Sequence, residues 1–467
     1  MTTHVVLIGA YGSAGLAAAQ QLAEQDDIEL TLIDDGDPGG GLCILRGCMP
    51  SKEVLSAGAH RYQARHDDRI ESTPTVDLDA VVERKDEHTL NFAEHRREAA
   101  HILTQQDTVE FIHDRAQFVD EHTIAVGERT IEADYVVIAT GSSVNVPGGL
   151  TGIEDVEYTS SADVLDATSF PETGVVVGMG AVGIELVPYL SEVGGMDLTV
   201  INPRDRPLGG ADDAFGDRIA DLYREQFGID LVSSAHAQAV ERTDDDGVRV
   251  YTEDEDDRES IEADQLFLFT GRRPDTDGLG LSNTALDPEP GWVEDTMQAS
   301  ADPRTFVVGD VNGRDPILHV AKEQGSLVGS NIVAHSRDDP LEAYEHITHR
   351  VLFTGLGVVP FARVGHTEAS AEEADHEYIA VSRDASDDGV FKTKDVPYGL
   401  AKLVVDADDG TVLGYQGLHY HADVMVKTMQ VVVETEMSIG SVPDRAYHPT
   451  TPEIIDGLLR EASDTLE

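Results

Sequence analysis

Two glycine runs, each set between an apolar stretch and a helix-forming one, restrict this chain more than any other feature of it. His4-Val-Val-Leu-Ile8 leads into Gly9-Ala-Tyr-Gly12-Ser-Ala-Gly15 and an alanine-rich helix to about Ala23. A second strand, Glu29–Ile33, then ends at Asp34, 19 residues after Gly15. Strand, glycine turn, helix, strand and acid in this order make a dinucleotide site: the glycines admit a pyrophosphate to the helix N-terminus, and the acid takes a ribose hydroxyl. The spacing is G-x-x-G-x-x-G, one residue longer than usual at Tyr11, so the first turn is expected to bulge. The run from Gly174 through Gly178, Gly180 and Gly183 to Glu185 is a second fingerprint with normal G-x-G-x-x-G spacing. Its next strand, Leu198–Ile201, ends at Asn202 where an NAD site carries an acid, and Arg204 and Arg206 follow. Exchanging a carboxylate for guanidinium groups favours a 2′-phosphate, hence NADPH, with NADH the other option. The same arginines also read as ordinary surface charges. Two fingerprints mean two dinucleotides.

Both cysteines of the chain, Cys43 and Cys48, lie in Gly39-Gly-Gly-Leu-Cys43-Ile-Leu-Arg-Gly-Cys48-Met-Pro-Ser-Lys52. Thiols this close in an acidic chain read as a redox pair or as two buried inert cysteines. On an ideal helix, five residues leave the Cα atoms roughly 8–9 Å apart, and a disulfide rarely spans more than about 7 Å. A bond between them requires a distorted helix, and Gly47 is the residue that lets it bend. Pro50 fits the first turn of a following helix, which puts Cys48 near its N-terminus, where the dipole lowers a thiol pKa.

With 89 acidic residues against 33 basic ones the net charge is −56. Such a field repels nucleic acid and anionic membranes, so no nucleic acid and no membrane is expected as a partner. The acids are spread along the chain, as in Glu253–Asp257 and Asp406–Asp409, and 40% hydrophobic content argues for a folded chain. Acid-rich, lysine-poor surfaces suit concentrated salt, which screens the self-repulsion. No secretory apolar run opens the chain and no 18-residue apolar run occurs, so a cytoplasmic, halophilic protein of about three domains is expected.

The cysteine segment resembles the active-site signature of the pyridine nucleotide-disulfide oxidoreductases, flavoproteins that read close to G-G-T-C-x4-C-x-P-S-K. Leu42 replaces the usual small polar residue, and Arg46 is an unusual charge between the cysteines. Further runs continue the resemblance in order: the strand from Asp134 into Thr140-Gly141, then Leu266–Phe269 into Gly271-Arg272-Arg273-Pro274, and Thr305-Phe-Val-Val-Gly309-Asp310. His319 opens the next helix and reads as a flavin-side residue or as a merely packed histidine. Arg350–Thr354, Tyr378–Val381, Ala401–Val405 and Val412–Leu418 then alternate with turns before a helix at 422–436. The resemblance implies an α/β fold with two doubly wound Rossmann-like domains and an α+β dimerisation domain. FAD is placed at 1–150 and 266–338, NAD(P) at 151–265, and the interface at 339–467. It also implies FAD as a cofactor, an ion pair of Lys52 and Glu185 beside the flavin, and a homodimer. Ala181 stands where some members carry a tyrosine that covers the flavin. A surface bridge is the plainer reading of the ion pair.

The tail, Tyr447-His448-Pro449-Thr450-Thr451-Pro452-Glu453, matches the family's H-P-T-x-x-E, with Ala446 where a further histidine often stands. Pro449 is expected to hold His448 extended, with Thr451 as N-cap and Glu453 in the first helical turn. A histidine oriented by a glutamate is a general acid–base pair. By this resemblance Cys48 is the sulfur nearest the flavin, Cys43 attacks the substrate disulfide, and His448 protonates the leaving thiol. Mercuric reductases and large thioredoxin reductases use additional C-terminal cysteines or selenocysteine, which are not among this chain's residues. The expected substrate is a small-molecule disulfide. The acidic surface and the NADPH signals make the chain similar to a haloarchaeal bis-γ-glutamylcystine reductase, with Arg46 a candidate for receiving carboxylates or a plain helix-surface arginine. An NAD-dependent dihydrolipoamide dehydrogenase is the alternative. A flavoprotein retained only as a binding subunit is the contrasting class.

Overall fold

The computed structural model describes residues 2–253 and 258–467. Of the acid run Glu253–Asp257, residues 254–257 lie outside the described residues. The chain divides into two compact units. The first comprises Met1–Ser51, Glu83–Asn145 and Arg272–His346, and the second Lys52–Val82, Val146–Gly271 and Ile347–Glu467.

The opening elements are β1 (Thr3–Ile8), α1 (Ser13–Ala23), β2 (Ile28–Ile33), α2 (Leu42–Leu45), α3 (Cys48–His66), α4 (Leu78–Leu103) and β3 (Val109–Ile112). In the first unit, β3, β2, β1, Tyr135–Ile138 and Asp302–Val307 pair in parallel, and Gln298–Ala299 adds an antiparallel edge. Valine- and isoleucine-rich strands with both faces buried are what a parallel sheet requires. The register puts Ile112, Ile33, Ile8, Ile138 and Val307 in one row across the sheet. The residues just beyond that row are Asp34, Gly9, Ala139-Thr140-Gly141 and Val308-Gly309-Asp310. Scattered motifs therefore meet at the carboxyl edge of one sheet, where ligands bind in open α/β folds. The helix α1 is buried nearly all round, and Leu318–Ser336 lies tight against it. A Cβ on Gly325 would stand 2.2 Å from the Ala14 carbonyl oxygen.

The second unit repeats the device. Its parallel sheet runs Asp230–Ser233, Asp197–Asn202, Thr173–Val177, Gln265–Leu268 and Tyr158–Thr159, with Val232, Ile201, Val177 and Leu268 in one row. Gly178 and Asn202 follow directly. A five-stranded antiparallel sheet, ordered His349–Leu352, Phe361–Gly365, Val412–His419, Gly399–Asp406 and Tyr378–Asp384, carries the helices Ala422–Glu434 and Glu453–Leu466. The sequence reading missed the strand Phe361–Gly365, which interrupts its apolar pattern with Arg363, and ran the helix two residues past Glu434. Among the described residues, no helix is long and apolar enough to cross a membrane.

Candidate active site

The redox segment forms because its helix breaks. The helix α2 stops at Leu45, Arg46 takes a non-helical conformation (φ −142°, ψ 18°), and α3 begins at Cys48. Gly47 is needed for space rather than for an unusual φ: an added Cβ would stand 3.1 Å from the Leu42 carbonyl oxygen and 3.2 Å from Cys43 Cα. The break brings the sulfurs together as two thiols, Cys43 half-buried and Cys48 exposed. The hydrogen bond to Cys48, followed by burial, pushes the Cys43 thiol far above its usual range. Cys48 opens α3, where the helix dipole favours negative charge. Arg46 is exposed.

Sequence reasoning missed Arg96 on α4, the cation whose charge opposes the rise at Cys43. The packing that brings α4 here is local. Ala93 is fully buried, and a Cβ on Gly40 would stand 3.0 Å from the Ala93 Cβ.

At the glycine turn, Gly9 has φ +97°, and a Cβ there would fall 2.3 Å from the Ala139 carbonyl oxygen. The inserted residue of this turn is Tyr11. Its N–H donates to Asp34 Oδ2 at 2.9 Å, and its buried ring covers Gly39, where a Cβ would meet it at 2.1 Å. Its phenol pairs with His101 Nε2 at 2.9 Å. Asp34 also accepts from the Gly36 N–H at 2.9 Å, and burial pushes its carboxyl above the ordinary range. Thr140 donates to the Asp275 carbonyl oxygen at 2.6 Å, and Gly141 accepts from the Asp275 N–H at 3.0 Å. Ser142 joins two motifs far apart in the chain, donating to Asp310 Oδ2 at 2.6 Å and accepting from Arg272 Nε at 2.8 Å. Its only signal in the sequence is its place after Thr140-Gly141. The Gly309 N–H donates to Gln324 Oε1 at 2.9 Å. His319 is exposed in the first turn of Leu318–Ser336.

In the second unit, Gly178 (φ +106°) and Gly183 repeat the close packing of the first turn, and Gly180 faces open space. Asn202 is buried and donates to the carbonyl oxygen of Arg204 at 2.9 Å, so its side chain is occupied in closing its own turn. Arg206 is held by Asp205 at 2.5 Å, Asp217 at 2.6 Å and Asp213 at 3.5 Å. Three carboxylates therefore pair with it in this structure. The Arg204 guanidinium instead lies against the backbone of Gly209, where a Cβ would meet it at 1.5 Å. Gly271 precedes Arg272 in a left-handed conformation (φ +88°).

Lys52 Nζ meets Glu185 Oε2 at 2.7 Å, with 32% and 14% of the side chains exposed. The other carboxylate oxygen accepts from the Phe353 N–H at 3.1 Å, and Nζ lies 4.2 Å from the centre of the Phe353 ring. Phe353 thus holds both members of the pair, one through its N–H and the other through its ring.

In the tail, His448 Nδ1 lies 3.0 and 3.1 Å from the two oxygens of Glu453, which also accepts from the Thr450 N–H at 3.0 Å. The Thr450 bond, then His448, holds the Glu453 carboxyl below its usual range. A carboxylate at Nδ1 keeps the proton on that nitrogen and leaves Nε2 as the outward base. His448 is 79% exposed and Tyr447 beside it 89%. The expected cap moves by one residue: Pro452 stands at the N-cap, and the buried Thr451 hydroxyl meets His421 Nδ1 at 3.2 Å. The His448–Pro449 peptide is cis.

Comparison with known proteins agrees with this layout. The family described as pyridine nucleotide-disulphide oxidoreductase matches residues 3–325, and its dimerisation domain matches 348–458. A dihydrolipoyl dehydrogenase from Haloferax volcanii is 30% identical over 97% of this chain and 94% of its own. A mercuric reductase from Bacillus cereus is 28% identical over 94% of this chain and 68% of its own. The solved HOCl-induced flavoprotein disulfide reductase RclA from Escherichia coli superposes with a TM-score of 0.81 at 22% identity, covering 98% of this chain and 99% of its own. The family binds FAD and a pyridine nucleotide. The residues here fit both. Neither α1 nor Ala181–Glu192 has a side-chain cap or an acid in its first turn, so their N–H groups are open to phosphate.

Proposed function

The chain belongs to the pyridine nucleotide-disulphide oxidoreductases, and we propose that it is their NADPH-dependent reductase of a low-molecular-weight disulfide, with bis-γ-glutamylcystine the first candidate. The observation that carries the reading is the thiol pair at the break before α3, with Cys43 half-buried and Cys48 exposed at the start of that helix. FAD, when bound, supplies a two-electron relay between the nicotinamide and this sulfur pair. The chain's own residues do the rest. Nε2 of His448, fixed by the Glu453 carboxylate on Nδ1, takes the proton from Cys43. The Cys43 sulfur attacks one substrate sulfur, a mixed disulfide forms, the substrate S–S bond breaks, and His448 returns the proton to the leaving thiolate. The Cys48 thiolate then attacks the Cys43 sulfur, closing Cys43–Cys48 and releasing the second substrate sulfur as a thiolate, which takes its proton from water.

In this reading Gly9, Gly12, Gly15, Asp34, Thr140, Gly141, Arg272, Gly309 and Asp310 hold FAD, with His319 and the Lys52–Glu185 pair on its ring side. The nicotinamide lies on Gly178, Gly180 and Gly183, and Arg204 carries the preference for NADPH. The domain limits proposed for FAD are 1–150 and 266–338, for NAD(P) 151–265, and for the interface 339–467. A homodimer in a cytoplasm is proposed, with His448 serving the Cys43 of a second copy. The dimerisation-domain match and the exposed Tyr447, Val424 and Val431 support it. An active monomer in sedimentation would count against it.

The 30% identity to a dihydrolipoyl dehydrogenase favours one other reading, oxidation of a dithiol with NAD. Steady-state assays in molar salt, pairing each nicotinamide with lipoamide, glutathione disulfide and bis-γ-glutamylcystine, separate the two. A higher kcat/KM for lipoamide with NAD would replace the first reading with the second.

A further inference from the structure

Residues 442–452, which carry His448, form neither helix nor strand. Most of what fixes them is the helix that follows, Glu453–Leu466. Glu453 holds the His448 ring and the Thr450 N–H, Asp456 Oδ2 accepts from the Ala446 N–H at 2.6 Å, and Arg460 Nη2 donates to the Asp444 carbonyl oxygen at 3.0 Å. Among the described residues, one polar contact reaches this segment from elsewhere: His421 Nδ1, 3.2 Å from the hydroxyl of Thr451. Thr451 is 4% exposed and follows Thr450 directly, so its hydroxyl is one peptide away from the N–H that Glu453 holds.

His421 stands where the backbone suits another residue. It occupies the N-cap of Ala422–Glu434 with φ +70° and ψ 16°, the left-handed conformation that glycine takes without a steric penalty. Its carbonyl oxygen accepts the first bonds of that helix, from the Val424 N–H at 3.1 Å and the Met425 N–H at 3.0 Å, and any residue supplies a carbonyl. Nothing in the backbone calls for an imidazole. The ring is stacked on Tyr420, with centres 3.8 Å apart and planes at 30°, and from there it meets Thr451. A side chain kept at the expense of backbone strain points to a role for that side chain.

We propose that His421 is a positioning residue for the acid–base tail, tying Thr451, and through it Glu453 and His448, to the start of Ala422–Glu434. The proposal rests on the reading above, in which His448 moves the proton of the exchange step, and it adds a residue that lies outside the H-P-T-x-x-E run.

Three variants of the holoenzyme test it. His421→Gly suits the left-handed backbone and removes the contact, whereas His421→Asn tolerates that backbone and keeps a polar atom on Cγ, where Nδ1 stands. Thr451→Val removes the hydroxyl from the other side. Hydrogen exchange at 442–452 is the first readout and needs no substrate. It should be at least about fivefold faster in His421→Gly and in Thr451→Val, no more than about twofold faster again in the double variant, and restored to within about twofold of the parent in His421→Asn. The kcat for NADPH-driven reduction of bis-γ-glutamylcystine should follow the same order, about tenfold lower in the first two variants, while the rate of flavin reduction by NADPH stays within about twofold. Unchanged exchange in His421→Gly, an equal rise in His421→Asn, or effects that multiply in the double variant overturn the proposal. So does a fall in flavin reduction as large as the fall in kcat, which reports general loosening rather than a displaced tail. Failure of the parent reading shows elsewhere: His448→Ala would retain disulfide turnover, whatever the exchange at 442–452.

Discussion

The glycine turn after β1 and the one after Thr173–Val177 are built to the same close fit and carry different residues inside it. An added Cβ on Gly9 or Gly178 would meet the carbonyl oxygen of the adjoining strand at 2.3 or 2.4 Å, and one on Gly15 or Gly183 would meet the turn's own first carbonyl at 2.1 or 2.4 Å. The first and last glycines therefore fix how closely helix and sheet approach in both units. What lies between is free to vary. In the first turn the extra residue leaves its ring under Gly39 and gives its N–H to Asp34; in the second, Asn202 spends its amide on the backbone of Arg204. Packing is shared, and recognition is local.

The largest effect should come from the shared part. Gly9→Ala and Gly178→Ala each combine a positive φ with a backbone collision and should cost about 3 kcal/mol or more in chemical denaturation. Gly180→Ala should cost less than about 0.5 kcal/mol while weakening the nicotinamide, since φ is −77° and nothing lies within 4 Å. Equal losses at all three positions would break the comparison. Tyr11→Ala should lose about 3 kcal/mol through the cavity it leaves, and Tyr11→Phe about 1 kcal/mol through the bond to His101.

Next comes the part that differs. Arg204→Gln should weaken NADPH by about 1.5–3 kcal/mol and leave NADH nearly unchanged, as read from KM or Kd for both. Arg206→Gln, which removes a cation already surrounded by carboxylates, should change the NADPH/NADH ratio little. The reverse ranking would return the role to Arg206.

The smallest effect is one of pH. Burial raises the folded-state pKa of Asp34. The folded protein therefore holds this proton to higher pH than the unfolded chain, and the stability it confers fades as pH rises through that raised value. Relative to Asp34→Asn, the unmodified protein should gain stability on acidification from neutral pH, read from denaturation midpoints in molar salt. A difference that stays flat with pH would mean Asp34 carries no such penalty.

Much of this was legible in the chain because it depends on short-range constraints. The glycine turns, the helix break between Cys43 and Cys48 and the pairing of His448 with Glu453 all follow from neighbours a few residues apart. Ser142, Arg96 and the anchoring of Glu185 by Phe353 come from residues that meet only after the sheets are assembled, and no local spacing marks them. The pairing of Arg206 with Asp213 and Asp217 was not legible either, because the sequence shows charges on the following helix but not their direction. Thr451 looked like a cap by residue type, yet its hydroxyl is taken by His421 from another element.

The central claim is that electrons from the nicotinamide reach the two sulfurs. Thiols counted in the unfolded protein before and after anaerobic reduction by NADPH test it most directly, since the chain holds two cysteines. The expected titre is none per chain in the oxidised enzyme and two after reduction. A titre that NADPH leaves unchanged would contradict the account.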